Sequence, residues 1–208
     1  MDASNFKAPF ISKDKCWERA DDFRRQFWAR GCAPVDVIEI AEIELDLELR
    51  TIAKLKEDSD TDALLLSNWT TILVDERQYM DERYINRLKF SVAHELGHLV
   101  LHKDIFESIP RNTISEWISF MQKLPEDQYG FLEFQANEFA GRLLVPKDQL
   151  GEAFEKVLQK AESGGLSRSK LQEQHLSYLC NGLIKEFEVS NEVIEKRLLK
   201  EEYWPITT

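Results

Sequence analysis

The feature that most restricts the fold of this chain is the run His94-Glu95-Leu96-Gly97-His98, which has the form H-E-x-x-H. The surrounding apolar residues recur with a period of about 3.6 residues and predict a helix over 83–102. They are Ile85, Leu88, Val92, Leu96 and Leu99. Positions i and i+4 share one helix face, so both imidazoles can bind one zinc ion. Glu95 is rotated by about 100° from His94, which suits a general base for zinc-bound water.

A catalytic zinc ion needs a third protein ligand and an open position for water. The later carboxylates that could supply it are Glu107, Glu116, Glu126, Asp127, Glu133 and Glu138. A helix predicted over 131–144 would place Glu133, Ala136, Asn137 and Ala140 on one face, where small residues allow another helix to approach. We therefore predict Glu133 as the third ligand and Asn137 as a residue that holds a ligand in place. The alternative is that Glu133 is an ordinary surface carboxylate near a helix N-terminus.

Further residues are candidates for a supporting or substrate-side role. His102 continues the series at i+8, but it lies about 12 Å from His94 along a helix axis and cannot bind the same ion. It either supports the site, covers the helix end, or caps the last carbonyl groups. Residues able to stabilise an oxyanion are Tyr79, Tyr84, Tyr129, Arg87, His102 and His175, and spacing does not choose among them. We retain Tyr84, Arg87 and His102 as candidates.

The rest of the chain predicts an α+β fold that is mostly helical. Helices are expected over 13–30 and 36–44, followed by strands over 45–52, 64–67 and 70–75. The strands would form a small antiparallel or mixed three-stranded sheet beside the H-E-x-x-H helix. Strand 70–75 is either the sheet edge that receives an extended substrate or an ordinary packed strand. The aromatic set Trp117, Phe120 and Met121 is interpreted as core, with a lid as the alternative.

Composition excludes several classes of protein. No apolar run approaches the roughly 20 residues of a membrane helix, and the N-terminus lacks the apolar region of a signal peptide. Three cysteines without a C-x-x-C pair are expected to be reduced, buried thiols of a cytoplasmic protein. The 38 acidic and 27 basic residues disfavour broad nucleic-acid binding.

Two blocks of sequence resemble the ImmA/IrrE family of zinc metallopeptidases. The first is RLKFSVAHELGHLVLH over 87–102 and the second is EFQANEFAGRLLVP over 133–146. The first block departs from the family pattern in having Leu88-Lys89 between Arg87 and Phe90. A weaker resemblance upstream extends it to roughly 15–150.

The resemblance implies a zincin-like, gluzincin-type site with Zn²⁺ bound by His94, His98 and Glu133 and with Glu95 as acid and base. It also implies a zinc-dependent endopeptidase that cleaves a helix-turn-helix repressor encoded nearby, which would relieve repression of stress, phage or mobile-element genes. The alternative is a non-catalytic zinc protein that binds a repressor, toxin or antitoxin. We expect a metallopeptidase domain over 1–150 and a C-terminal helical extension over 151–208.

The C-terminal region has a helix-turn-helix rhythm over 183–198, with Ser190 as an N-cap. A helix that binds DNA should be basic, but residues 180–202 contain four basic and six acidic residues. We therefore expect these helices to pack on the protein or a partner, with no direct binding of nucleic acid or membrane.

Overall fold

The computed structural model of the protein describes residues 5–107 and 114–205. It is mostly helical with one small sheet, which confirms the predicted α+β class. In chain order the elements are α1 (Lys13–Phe27), α2 (Val37–Glu39) with a π-helical turn (Ile40–Glu44), β1 (Glu48–Ile52), α3 (Leu55–Ser59), β2 (Ala63–Leu65), β3 (Thr71–Asp75), α4 (Glu76–Met80), a 3-10 turn (Glu82–Tyr84), α5 (Ile85–Glu107), α6 (Ile114–Met121), α7 (Glu126–Leu144), α8 (Lys147–Ser163), a second 3-10 turn (Arg168–Lys170), α9 (Glu173–Asn181), α10 (Ile184–Phe187) and α11 (Asn191–Lys200).

The sheet is mixed and has the strand order β1-β3-β2. β3 pairs in parallel with β1 and antiparallel with β2, so it is the central strand. Of the two alternatives for strand 70–75, the ordinary packed strand is therefore confirmed and the sheet edge is wrong. Every residue of β3 is buried, as expected for a strand with neighbours on both sides and a nearly continuous apolar run. The shorter β2 is an edge strand, and it packs beside α5.

Helix α5 buries the face that its apolar period predicted. Leu88, Val92 and Leu96 are at most 1% exposed. The helix continues to Glu107, beyond the predicted end. Its other side carries the two histidines of the motif, so burial of the apolar face orients His94 and His98 toward α7 and a cavity.

Helix α7 packs against both α5 and α1. It begins at Glu126, five residues before the predicted start, because Pro125 precedes a first turn whose two acids favour the positive end of the helix dipole. Phe139, Leu143 and Leu144 are completely buried.

The C-terminal helices belong to the same core as α5 and α7. Ser190 caps α11 by accepting a hydrogen bond from the Val193 backbone N–H group. Phe187, Ile194 and Leu198 are at most 1% exposed and join the main apolar cluster. The predicted pair of short helices is confirmed, and its apolar residues pack on the protein. The division of the chain at residue 150 stays a prediction.

The aromatic set near residue 120 and the three cysteines differ in burial. Phe120 and Met121 pack partly buried against the core, as the core interpretation expects, while the side chain of Trp117 lies outside the described residues. Cys16 and Cys180 are buried as expected, but Cys32 is exposed, because it lies in the turn that follows α1. No helix within 5–107 and 114–205 is long and apolar enough to cross a membrane.

Candidate metal centre

Helices α5 and α7 bring His94, His98 and Glu133 together. One potential ligand atom from each residue lies within 4.8 Å of the others. The Nε2 atoms of the histidines are 3.0 Å apart. Carboxylate oxygens of Glu133 lie 3.3 Å from His94 Nε2 and 3.4 Å from His98 Nε2. Two adjacent turns of one helix and one turn of its neighbour thus aim three donors at a common point.

The donor set and its spacing fit zinc. Two imidazole nitrogens and one carboxylate oxygen are a ligand set of catalytic zinc sites. Zinc bonds of about 2.0–2.1 Å arranged tetrahedrally separate neighbouring ligand atoms by about 3.3–3.4 Å. The two distances from Glu133 match that edge length, and the distance between the histidines is slightly shorter.

The charges within the cluster also favour cation binding. Burial opposes ionisation of Glu133, but hydrogen bonds and charge from His94 and His98 outweigh it and hold the pKa of Glu133 well below its usual range. Burial likewise opposes protonation of His94, but Glu133 and Glu95 raise the pKa of its imidazole overall. Glu133 is therefore ionised, and a bound metal ion would supply the positive charge beside it in place of protons on the histidines.

Asn137 orients the first histidine. Its Oδ1 atom lies 3.2 Å from His94 Nδ1, one turn along α7 from Glu133. An N–H group at Nδ1 can donate to this oxygen, which leaves Nε2 unprotonated and facing the cluster. The structure thus places Asn137 where the shared face of α7 predicted it.

Glu95 lies beside the cluster and is fixed by the edge strand. Its side chain is buried, and Oε2 accepts a hydrogen bond of 2.7 Å from the Leu65 backbone N–H group in β2. Burial raises the pKa of Glu95, against the opposing charges of His98 and His94. A desolvated carboxylate with a raised pKa is suited to accept a proton.

His102 contacts the cluster through His98. It is completely buried, and its Nδ1 atom lies 2.9 Å from His98 Nδ1. Its Nε2 atom lies 2.8 Å from Gln135 Oε1 on α7. Burial and the charge of His98 lower the pKa of His102 to about 3, so the ring is neutral. These contacts favour the supporting role over the capping of helix carbonyl groups.

Two of the sequence candidates lie farther from the centre. Tyr84 precedes His94 by ten residues, which is about 15 Å along a helix axis. Its ring stands 5.3 Å from the Arg77 guanidinium, and the structure does not bring it to the cluster. Arg87 is half exposed and forms a bidentate pair with Asp62, just before β2. Arg87 therefore fastens the start of the edge strand to α5, a role that its place in the motif did not indicate.

Tyr129 is one of the six oxyanion candidates of the sequence, but it is not among the three that the sequence analysis retained. It lines the cavity one turn before Glu133 on α7. Burial, followed by the charge and hydrogen bond of Glu133, raises the pKa of the Tyr129 hydroxyl. The signal in the sequence was its i−4 spacing from Glu133. That signal is informative only once α7 is known to begin before residue 129.

The cluster opens into a cavity of about 590 Å³. Its walls are formed by residues 59–65, including β2, and by the first turns of α7, with His94, Glu95 and His98 between them. Asp75 N–H donates to Asp62 C=O and Leu66 N–H donates to Thr71 C=O across the β2–β3 ladder. Because such a ladder alternates, the backbone groups of Ala63 and Leu65 point away from β3 and toward this space.

The sequence matches one known family. A family model described as Peptidase_M78, IrrE N-terminal-like domain, matches residues 85–199. The match covers more than half of the chain and includes both histidines, Glu95 and Glu133. No curated protein matches the sequence.

Proposed function

Since the chain belongs to the IrrE N-terminal-like family of peptidases, as the resemblance of its two sequence blocks predicted, we propose that it is a zinc-dependent endopeptidase. The observation that carries the proposal is the convergence of His94, His98 and Glu133 beside the buried Glu95. A structural zinc site has no need of a general base and usually closes its fourth position with protein. The presence of Glu95 at this cluster therefore supports catalysis over a non-catalytic binding protein.

His94, His98 and Glu133 are the proposed ligands, and the bound ion would lower the pKa of a water molecule and polarise the substrate carbonyl. Glu95 accepts the proton of the attacking water and later gives it to the departing amine. The Leu65 N–H group holds Oε2 of Glu95, so the other carboxylate oxygen is the one available for proton transfer. The Tyr129 hydroxyl is protonated at neutral pH, as an unperturbed tyrosine already is, and donates a hydrogen bond to the developing oxyanion.

The edge strand supplies a template for an extended substrate. The outward-facing N–H and C=O groups of Ala63 and the C=O group of Leu65 line the cavity next to Glu95, which already accepts from the Leu65 N–H group. A peptide that adds to β2 as a further strand would place its backbone along these groups and a carbonyl near the ligand cluster. The strand that receives substrate is thus proposed to be β2, in place of the segment 70–75, for which the sequence left that role open.

The proposed substrate is a helix-turn-helix repressor encoded near the gene, in a cytoplasmic setting. The support for this substrate class is the resemblance to the ImmA/IrrE family carried by residues 87–102 and 133–146. Cleavage of such a repressor would relieve repression of the genes that it controls. DNA recognition would then belong to the repressor, in keeping with the acidic balance of residues 180–202.

The test compares wild type with Glu95→Gln, both confirmed to contain zinc, each mixed with the nearest encoded helix-turn-helix repressor. Intact mass spectrometry over time should show two fragments whose masses sum to the repressor plus one water, with wild type. Glu95→Gln should be slower by about 100-fold or more, since it lacks the proton acceptor.

Glu192→Gln is a matched control, because this exposed glutamate lies on α11 outside the cavity. It should cleave like wild type. Equal cleavage by Glu95→Gln would refute the assigned base. A repressor that remains intact with wild-type protein would refute the proposed substrate, and a stable complex in the same spectra would favour the non-catalytic binder.

A further inference from the structure

A chain of hydrogen bonds connects His98 to the N-terminal segment, residues 5–12. His98 Nδ1 lies 2.9 Å from His102 Nδ1, and His102 Nε2 lies 2.8 Å from Gln135 Oε1. The Gln135 amide nitrogen then lies 2.9 Å from the backbone carbonyl oxygen of Pro9. His102 is 0% and Gln135 is 1% exposed, so water does not substitute for these partners. Four groups from α5, α7 and the N-terminal segment therefore form one continuous series.

The last member fixes the direction of every hydrogen bond in the series. The Pro9 carbonyl can only accept, so Gln135 must donate to it through its amide NH₂ group. The Gln135 oxygen then faces His102, whose Nε2 must carry the proton. His102 is completely buried between an amide and an imidazole, with no anion among these two partners, so its ring is neutral and Nδ1 is unprotonated. Nδ1 must then accept from an N–H group at His98 Nδ1. His98 is left with its Nε2 lone pair directed at Glu133 and His94, as a metal ligand requires.

We propose that Gln135, His102 and the N-terminal segment are positioning elements of the metal centre, which hold His98 in the tautomer and ring orientation needed for binding. The inference rests on the proposed function, because it takes His98 to be a ligand. The N-terminal segment then contributes to the orientation of His98, although the ligands themselves lie on α5 and α7.

The N-terminal segment is anchored firmly enough for this role. Phe6 is 3% exposed, and its ring stacks on Phe106 with centroids 5.3 Å apart. The Ala8 backbone N–H group donates to Gln128 Oε1 at 2.7 Å, two turns before Gln135 on α7. Two glutamines of one helix therefore bind the same segment, and Gln135 is the one that also contacts His102.

This pair of glutamines provides a matched test on the full-length protein. Gln135→Leu removes the acceptor for His102 and the donor to Pro9, while Gln128→Leu removes a hydrogen bond to Ala8. Zinc affinity is measured by competition with a chelator. Loss of a partner behind a ligating histidine typically costs about 10–100-fold in metal affinity, and we expect a loss of that size for Gln135→Leu. Gln128→Leu leaves both contacts of Gln135 in place and should therefore lose much less zinc affinity than Gln135→Leu. Equal affinities for all three proteins, or equal losses in both variants, would overturn the proposal.

A second readout uses wild-type protein and does not depend on a variant that folds. The ¹⁵N resonances of the His102 ring in the zinc-loaded protein report which nitrogen carries the proton. We expect a neutral ring protonated at Nε2, and a ring protonated at Nδ1 would overturn the proposal. The chain contains four histidines, which keeps the assignment tractable.

The two readouts separate this inference from the proposed function. Wild-type protein that shows the expected tautomer and affinities but cleaves nothing would refute the peptidase and leave the positioning role intact. Wild-type protein that does not bind zinc would refute both, because His98 would then not be a ligand.

Discussion

At the scale of single residues, Tyr129 is the side chain whose role the structure changes most. Its hydroxyl borders the cavity and interacts with Glu133, so it is placed either to stabilise an oxyanion or to orient a ligand. We expect Tyr129→Phe to lower kcat by about 100-fold with zinc affinity unchanged, because loss of one oxyanion donor has an effect of that size. Steady-state kinetics and chelator competition would check this. A loss of zinc affinity with kcat preserved in the zinc-saturated variant would instead assign Tyr129 to the positioning of Glu133.

The other residues of the centre differ in how far the sequence could identify them. Spacing along one helix relates His94, Glu95 and His98, so the motif predicts their juxtaposition. Glu133 followed from the small residues on its helix face, which indicated a close neighbour. Gln135 gave no such signal, because its role depends on a partner that is 33 positions earlier in the chain and on a carbonyl of the N-terminal segment. Contacts of that kind are set by tertiary packing.

At the scale of elements, the close approach of α5 and α7 determines the geometry of the ligands. A Cβ atom added at Gly97 would lie 3.1 Å from both the Cα and the backbone oxygen of Ala136. Those backbone atoms cannot relieve the contact by a change of rotamer, as a flexible side chain could. Gly97 therefore lets α7 approach α5 closely enough for Glu133 to reach the two histidines.

We expect Gly97→Ala to destabilise the protein and to weaken zinc binding. The gain in helix propensity is roughly 0.5–1 kcal/mol, and overpacking costs about 1–3 kcal/mol, so the net loss of unfolding free energy is about 1 kcal/mol. Gly130→Ala is the matched control on α7, because no described atom lies within 4 Å of its added Cβ. That variant should gain stability. Urea unfolding measures the stability of both variants, and chelator competition measures their zinc affinity. A Gly97→Ala protein that is more stable than wild type and binds zinc normally would contradict the packing argument.

The sequence predicts the positions of helices and strands along the chain better than it predicts which strands are adjacent in the sheet. Apolar periodicity predicted α5, α7 and the three strands, but it could not order the strands in the sheet. The apolar run of β3 is compatible with an edge or a central strand. The structure shows that β3 is central, because it pairs with β1 on one side and β2 on the other. The consequence is functional, since Glu95 is held by β2.

At the scale of the whole molecule, a partly buried network of charges joins the last helix to α1 and α7. The Arg142 guanidinium on α7 lies 2.7 Å from Asp21 of α1 and 2.5 Å from Glu201, which follows α11. The Glu201 side chain is 1% exposed. Lys200 also pairs with the buried Glu138 of α7, which accepts from the Trp17 indole at 2.9 Å. The C-terminal helix is thus an integral part of the core that supports the metal centre.

Removal of one cation from this network should be strongly destabilising. Arg142→Met keeps much of the side-chain volume but removes a partly buried partner from Asp21 and Glu201, which retain pairs with Arg24 and Arg197, and we expect a cost of about 2 kcal/mol. Lys196→Met removes an exposed pair with Glu192 on α11 and should cost no more than about 0.5 kcal/mol. Equilibrium unfolding in urea compares the two. Equal stabilities would show that the network contributes nothing to the attachment of the last helix.

The ligands that surround the bound metal ion distinguish a catalytic zinc centre from a structural one most directly. Crystals of the zinc-loaded protein, with anomalous scattering recorded on both sides of the zinc absorption edge, locate the ion and its ligands in one measurement. We expect a single peak bound by Nε2 of His94, Nε2 of His98 and a carboxylate oxygen of Glu133, with a solvent oxygen in the fourth position beside Glu95. A fourth protein ligand in place of that solvent oxygen, or a zinc ion bound elsewhere, would contradict the assignment of a catalytic zinc centre.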